Sequence, residues 1–304
     1  MKEDYTCNVE RLSQSRGAGS PDVWGVYEPD SGSVQYICAC PDTRKAALID
    51  VVLNFAPANA RTSTTCADQI LELLRREKLE PAWILDTHPH ADHFMAAAYL
   101  KEQTRAPIAI GNKVPEIAEL WRTIYNLPNH FSPETDFDRL FADGETFHIG
   151  NLEARVMLSP GHTLGSVTFV VGDAAFVHDT LMYPDSGTAR ADFPGGSANE
   201  LWDSIQCILA LPGETRLFVG HDYPGKKRDA PRWEATVNEH LRDNVHVHHG
   251  AEREEFIRTR TERDATLSLP DRMLHALQVN LRGGRLPPPE EDGRSYFKIP
   301  ANRF

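Results

Sequence analysis

Hydrophobic and polar positions recur along this chain with two different periods, which predicts both strands and helices. Apolar runs over 34–40 and 46–52 flank a Pro-Asp turn and predict a β-hairpin. Residues 67–79 and 198–211 instead place apolar side chains three and four positions apart, with charged residues on the opposite face, as in amphipathic helices. Each of these two helices leads into another apolar run, so helices and strands are interspersed.

The middle of the chain continues this mixture. Residues 108–110 predict a strand and 114–127 an amphipathic helix, while 152–177 predicts consecutive strands broken at two turns that contain glycine. Two β-rich halves with helices between them are typical of a layered α+β fold.

The chain divides into three parts by composition. Residues 1–20 carry Ser, Gly and Arg with little periodicity, which predicts a flexible N-terminal tail, and 21–225 contain the predicted strands and helices of one main domain. Residues 226–304 are rich in Arg, Glu and Asp, and the segments 233–244 and 251–264 predict two exposed helices. We expect this helical extension to pack on the main domain, since no motif in it indicates a separate binding function.

Charge and composition argue against several classes of protein. The chain has 304 residues and a formal net charge of −12, whereas a nucleic-acid groove needs a dense basic face. Five cysteines without a zinc-ribbon or redox spacing argue against a disulfide framework and for a reducing compartment. The N-terminus lacks a signal pattern, and no apolar run approaches the roughly 18 residues that span a bilayer. The sequence therefore predicts a cytoplasmic protein that binds neither nucleic acid nor a membrane.

The segment 86–93, Asp-Thr-His-Pro-His-Ala-Asp-His, is the most informative part of the sequence. His88, His90, Asp92 and His93 lie within six residues, directly after an apolar run. Titratable groups this close destabilise a fold when desolvated, unless a cation or a hydrogen-bond network compensates them. Imidazole and carboxylate are ligands of Zn²⁺ and of non-haem iron. The segment therefore predicts a metal site on the loop that ends a strand.

Three further candidate ligands follow downstream, and each one ends another apolar run. His162 comes after 152–158, Asp179 ends the run that begins at Ala174, and His221 follows 217–219. Polar residues at successive strand ends are typical of a layered sheet enzyme whose loops converge at one edge.

These motifs resemble those of the metallo-β-lactamase superfamily, over roughly residues 24–225. The resemblance implies a four-layer αββα sandwich, with which the predicted order of elements agrees. Two shorter elements, Arg-x-Asp-Phe over 190–193 and His-Asp-Tyr over 221–223, resemble the persulfide dioxygenase branch. The Pro-Gly-Gly at 194–196 and the long C-terminal tail are most similar to its bacterial β-lactamase hydrolase-like subgroup. The chain departs from this pattern at His178, where a glycine is common, and in a longer loop over 181–189.

The resemblance implies one Fe(II) per chain, bound by His88, His162 and Asp179. Such a set of two histidines and one carboxylate leaves positions for a substrate sulfur and O2 side by side. Glutathione persulfide, or a related thiol persulfide, would be oxidised with O2 and water to sulfite and thiol. The remaining polar residues of the motif would orient the ligands and bound water: His90, Asp92, His93 and His221.

The resemblance also implies roles near the substrate. Asp92, Asp192 and Tyr223 are the expected catalytic residues, and Arg190 and Tyr223 are expected to bind the substrate. For Arg190 a pairing with Asp192 is the competing interpretation. The expected partners are a small-molecule thiol persulfide and O2, with a homodimer as the candidate assembly.

A binuclear zinc hydrolase of the glyoxalase II type, which cleaves a glutathione thioester, is the alternative. It would place His88, His90 and His162 on one Zn(II), the residues Asp92, His93 and His221 on the second, and Asp179 between them. The Arg-x-Asp-Phe element favours the dioxygenase over this alternative, because the element belongs to the dioxygenase pattern.

Residues outside these sets are expected to be structural. His178 is predicted to be a hydrogen-bonded core histidine, and Cys38 and Cys40 are predicted to be buried, inert thiols on one face of a strand. His240 and the histidines at 246, 248 and 249 are interpreted as an incidental surface run.

Overall fold

Two large β-sheets form the centre of the fold. The structure, a computed structural model, describes residues 7, 9–224 and 228–304. The strand order is β1-β2-β3-β4-β7-β9-β10 in the first sheet, β11-β12-β13-β14-β15-β16 in the second and β6-β5-β8 in a small third sheet. The strands are β1 (Val9–Ser13), β2 (Asp22–Glu28), β3 (Ser33–Ala39), β4 (Lys45–Ile49), β5 (Val52–Ala56), β6 (Arg61–Ser63), β7 (Glu80–Leu85), β8 (Phe94–Met95), β9 (Ile108–Gly111), β10 (Arg139–Phe141), β11 (Thr146–Ile149), β12 (Leu152–Leu158), β13 (Val167–Val171), β14 (Ala174–His178), β15 (Arg216–Val219) and β16 (Glu234–Thr236).

Helices cover the outer faces of both sheets. They are α1 (Thr65–Glu77), α2 (Ala97–Thr104), α3 (Val114–Tyr125), α4 (Pro133–Asp136), α5 (Ala198–Leu209), α6 (Val237–Asp243), α7 (Arg253–Asp264) and α8 (Met273–Asn280). One apolar core lies between the first sheet and α1, α2, α3 and α8, and a second core fills the space between the sheets and continues to α5. This arrangement confirms the predicted α+β sandwich with its four αββα layers.

The interface between the sheets is held by aromatic packing. Tyr36 of β3 is 2% exposed, and its ring centroid lies 5.4 Å from that of Phe176 and 5.5 Å from that of Phe218, both edge-on. Its hydroxyl donates to the carbonyl of Val219 at 2.6 Å. Because this bond satisfies the polar end of the ring, the tyrosine can be buried without an unpaired hydroxyl.

Most predicted elements are confirmed, with shifts of a few residues at their ends. The hairpin is present as β3 and β4, paired antiparallel with Tyr36 opposite Ile49. The predicted helix 67–79 is α1, which ends where Lys78 adopts a left-handed conformation with φ 54°. The helix 198–211 is α5, whose first turn is capped by the Ser197 side chain, which accepts from the backbone N–H of Glu200.

The predicted strand 46–52 is interrupted at residues 50 and 51. Asp50, which has φ 53°, and Val51 separate β4 from β5, which belongs to the small third sheet. A left-handed conformation is uncommon for residues other than glycine, although aspartate is among those that tolerate it. The break turns the Asp50 carboxylate toward the loop after β7, where it accepts from the backbone N–H of Thr87 at 2.8 Å.

Two predictions about the ends of the chain are corrected. Residues 9–13, expected in the flexible tail, form β1, which pairs antiparallel with β2 at the edge of the first sheet; residues 1–6 and 8 of that predicted tail lie outside the described part. The described part of the C-terminal extension, 228–304, holds three helices rather than two exposed ones, because α8 is present and α7 buries Phe256, Arg260 and Asp264. Within the described residues, no helix is both long enough and apolar enough to cross a membrane.

Candidate metal centre

The histidine-rich loop over 86–93 joins β7 to β8 and is fastened from two sides. The Asp50 carboxylate holds Thr87 through its backbone N–H and its hydroxyl. From the other side, the buried Asn280 of α8 donates to the carbonyls of His90 at 2.8 Å and His93 at 2.9 Å, and accepts from the N–H of Met95. The last helix of the chain therefore fixes the path of the loop that carries the ligands.

The first ligand group converges on Asp179. Its Oδ2 lies 3.7 Å from Nε2 of His88 and 3.5 Å from Nε2 of His162. Ligand atoms that share one cation at about 2.1 Å lie roughly 3.0–3.6 Å apart, so each histidine is close to the distance at which it could share a cation with Asp179. Ligand atoms of His88, His90 and Asp179 also all lie within 4.8 Å of one another. Nε2 of His88 and Oδ1 of Asp179 are buried without a hydrogen-bond partner among the described residues. Such orphaned atoms are expected where a cation completes the site.

The second ligand group lies beside the first. One ligand atom from each of four residues comes within 4.8 Å of the others: His90, Asp92, His93 and His221. Oδ2 of Asp92 lies 3.3 Å from Nε2 of His221, which is itself 3.4 Å from Oδ2 of Asp179. The structure therefore brings together every candidate ligand that the sequence predicted, and it places Asp179 between the two groups.

Three of the candidate ligand rings are oriented through their Nδ1 atoms. Nδ1 of His88 contacts the hydroxyl of Thr87 at 3.1 Å, and Nδ1 of His162 lies 2.9 Å from the backbone carbonyl of Arg190. Nδ1 of His93 contacts both Asp92 and the hydroxyl of Ser33. Partners of this kind select the tautomer and aim the free nitrogen at a metal.

Neighbouring histidines and carboxylates of the centre shift one another's pKa values. Burial alone would raise the pKa of Asp179, but His221 beside it lowers that pKa below its usual range. Burial would lower the pKa of His90, yet the Asp50 carboxylate raises it to about 9. Burial and then the neighbouring His90 hold the pKa of His88 well below its usual value. His90 is thus protonated and His88 neutral at pH 7, so a cation that bound His90 would displace a proton.

Arg190 is paired, as the competing interpretation held. Its guanidinium makes a two-point contact with Asp192, with N–O distances of 2.6 and 2.7 Å, and also donates to the carbonyl of Ser268. It lies over the ring of Phe193 at 4.7 Å, and that ring packs edge-on against His162. We therefore assign to Asp192, expected as a catalytic residue, the role of holding Arg190 in place.

Arg190→Ala is expected to weaken the metal loop rather than substrate binding. The substitution removes the partner of Asp192, whose carboxylate is 37% exposed and stays solvated, so we expect a loss of about 1 kcal/mol or less in the free energy of unfolding. The KM should change by less than about twofold, since the guanidinium is already engaged. Urea unfolding and steady-state kinetics check this, and a tenfold rise in KM at unchanged stability would contradict it.

Tyr223 is placed as the sequence predicted, next to the centre. Its ring stacks on His221 with a centroid distance of 5.8 Å and an angle of 6°, and its hydroxyl lies 3.4 Å from Nδ1 of His221. The residue is 55% exposed and lines a cavity of about 600 Å³ that opens over the candidate ligands. The phenol can therefore reach a molecule bound in that cavity.

The predictions for the residues outside the ligand sets are confirmed in part. His178 is confirmed as a core histidine, with Nε2 3.0 Å from the Ser159 hydroxyl, and Cys38 and Cys40 are confirmed as buried. The surface interpretation is wrong for two of the other histidines. His240 is fully buried, and His246 accepts from the backbone N–H of Thr188 and lines the cavity.

A sandwich of two sheets with histidines and aspartates gathered where its strands end defines a metal-dependent enzyme. The sequence profile of the metallo-beta-lactamase superfamily matches residues 29–221. The chain belongs to this superfamily, which confirms the resemblance inferred from the motifs.

Relatives with different names match almost the whole chain. A beta-lactamase hydrolase-like protein of Xylella fastidiosa is 54% identical over 93% of this chain, which spans 65% of that protein's length. Glyoxylase B2 of Dictyostelium discoideum is 45% identical over 90% of this chain and 95% of its own length. The human mitochondrial persulfide dioxygenase ETHE1 is 28% identical over 90% of this chain and 93% of its own. The crystal structure of ETHE1 from Myxococcus xanthus superposes with a TM-score of 0.68 at 28% identity, covering 91% of this chain and all of that one.

Proposed function

We propose that this protein is an Fe(II)-dependent persulfide dioxygenase, which converts glutathione persulfide, O2 and water to glutathione and sulfite. Support comes from the likeness of fold and sequence to ETHE1 over nine-tenths of the chain. The geometry that supports the proposal is the set His88, His162 and Asp179, in which Nε2 of each histidine lies 3.5–3.7 Å from Oδ2 of Asp179, and of which His162 and Asp179 line the open cavity. Fe(II) in this set would supply the redox centre at which sulfur and O2 meet.

The contact of His90 with Asp50 is compatible with one metal or with two. Nε2 of His90 lies 3.1 Å from Oδ1 of Asp50, and this ion pair is buried. Because the contact uses Nε2, the other ring nitrogen, Nδ1, which has no hydrogen-bond partner among the described residues, is free to bind a metal. The pair therefore orients His90 in either metal arrangement, and the likeness to ETHE1 is what favours the single iron.

Different residues of the chain would hold the metal, orient its ligands and contact the substrate. His88, His162 and Asp179 hold the cation, and their outer partners Thr87 and the Arg190 carbonyl keep the rings aimed. Tyr223, on the rim of the cavity, can donate its hydroxyl hydrogen to a sulfur or oxygen atom beside the metal.

The proposal is tested by metal content and O2 uptake. Protein purified anaerobically from iron-replete cells is expected to hold about one iron per chain, because the three ligands define a single site. It should consume O2 and release sulfite when glutathione persulfide is added, as followed with an oxygen electrode and sulfite analysis. The His162→Ala variant, which removes one ligand, serves as the control for uncatalysed oxidation.

A binuclear zinc hydrolase is the second candidate, because the ligands of a second metal are also assembled. Glyoxylase B2, at 45% identity, is a relative whose name points in that direction. Two zinc ions per chain, hydrolysis of S-lactoylglutathione and no O2 uptake would establish this function and reject the dioxygenase.

A further inference from the structure

The C-terminal extension builds one side of the cavity over the metal centre. Six of its residues line the cavity together with the candidate ligands Asp92, His162, Asp179 and His221: Val245, His246, Arg260, Arg263, Leu267 and Pro270. A molecule that fills the cavity from the metal centre outward would therefore contact this extension.

Two of the three arginines that line the cavity are already neutralised. Arg260 is 3% exposed and contacts Asp264 through Nε at 2.9 Å and through a terminal nitrogen at 2.7 Å. It also donates to the carbonyl of Thr188. Arg190 is paired with Asp192 in the same way. Neither guanidinium is left with an uncompensated charge for an anionic ligand.

Arg263 is different from these two. It lies three residues after Arg260 on α7 and lines the same cavity, and no carboxylate of the described residues forms an ion pair with its guanidinium. Its charge is therefore free to meet an anion that enters the cavity.

The neutral imidazole of His246, a hydrogen-bond donor, lies near the Arg263 guanidinium. Nδ1 of His246 accepts from the backbone N–H of Thr188 at 3.1 Å, so the ring hydrogen is on Nε2. Burial, and next the charges of Arg260 and Arg263, lower the pKa of His246 to about 4, which keeps the ring neutral at pH 7. The ring can thus donate one hydrogen bond beside the Arg263 charge.

We infer that Arg263, assisted by His246, binds a carboxylate at the remote end of the thiol substrate and so selects acidic thiol persulfides. The inference rests on the proposed function for the sulfur end of the ligand. The apolar side chains of Met182, Phe193 and Leu267, which share the cavity wall, would contact the body of such a molecule between its sulfur and its carboxylate.

The test compares Arg263→Gln with wild type and with Arg258→Gln. Arg258 lies on the same helix, is 66% exposed and does not line the cavity, so it is a matched control for loss of one charge. Arg263→Gln should raise the KM for glutathione persulfide about tenfold with kcat changed less than about twofold, because a charge-assisted contact is lost. The KM for cysteamine persulfide, which has no carboxylate, should stay the same. Arg263→Lys should recover most of the affinity.

A binding measurement separates this inference from the proposed reaction. Calorimetry with S-methylglutathione, which has the carboxylates but no persulfide, should show about tenfold weaker binding to Arg263→Gln than to wild type. Equal binding by both, or an equal loss in Arg258→Gln, would overturn the role of Arg263 and leave the dioxygenase untouched. Absence of O2 uptake in the wild type would instead reject the dioxygenase, while the calorimetric comparison still decides the role of Arg263.

Discussion

Asp179→Asn is expected to abolish stable metal binding, and with it all catalysis. Oδ2 of Asp179 lies within 3.4–3.7 Å of Nε2 of His88, His162 and His221. The amide is neutral and cannot supply the anionic oxygen that the proposed cation shares with His88 and His162. Loss of a partner outside the ligands commonly costs about 10- to 100-fold in metal affinity, so loss of the central ligand should exceed that.

Metal content and folding are measured together to check this expectation. Mass-spectrometric metal analysis should find Asp179→Asn essentially metal-free, while circular dichroism shows that the chain is folded. Asp203→Asn is the matched control, because that carboxylate is 60% exposed and pairs with Arg253 on the surface. Full metal occupancy in Asp179→Asn would show that the centre is not where the geometry places it.

Asp92→Asn separates one metal from two. Oδ2 of Asp92 contacts His221 at 3.3 Å, His93 at 3.0 Å and the hydroxyl of Ser33 at 3.1 Å. In the dioxygenase it orients those rings from outside the iron ligands, so the variant should keep one iron and lose activity by about 10- to 100-fold. In the hydrolase it is a ligand of the second zinc, so the variant should fall from two metals to one and lose nearly all thioester cleavage.

The number of metal ions per chain is measured in Asp92→Asn, in wild type and in the control Asp203→Asn. A fall from two metals to one in Asp92→Asn alone would reject the mononuclear site. Unchanged iron in all three proteins, with reduced O2 uptake in Asp92→Asn, is the expected result. Burial alone would raise the pKa of Asp92, but His221 and then His93 beside it lower that pKa well below its usual range, so the carboxylate is ionised at neutral pH.

Local patterns were sufficient to predict the scaffold and the candidate ligands. Helix α1 and helix α5 follow from apolar spacing, and the ligands follow from imidazole and carboxylate side chains directly after apolar runs. The clustering of His88, His90, Asp92 and His93 within six residues is itself a chemical signal, because such groups need compensation when they are buried.

The partners of those ligands could not be predicted, because they come from distant parts of the chain. Asn280 holds the carbonyl of His90 across 190 residues of sequence, and Asp50 meets His90 only because the chain turns at a left-handed residue. No signal in the sequence pointed to Asn280, whereas the position of Asp50 just past a strand, like that of the other acids, could have marked it as a candidate.

The sequence by itself determined the class of fold, the kind of ligand and the strand ends on which the ligands lie, since those depend on periodicities of two and 3.6 residues and on side-chain chemistry. Only the tertiary structure decided which charged side chains form ion pairs with one another. Arg190 and Arg260 are neutralised by Asp192 and Asp264, whereas Arg263 lines the cavity without an acidic partner among the described residues. Pairing depends on distances of a few ångströms between side chains, and those distances exist only once the C-terminal extension has folded over the metal centre.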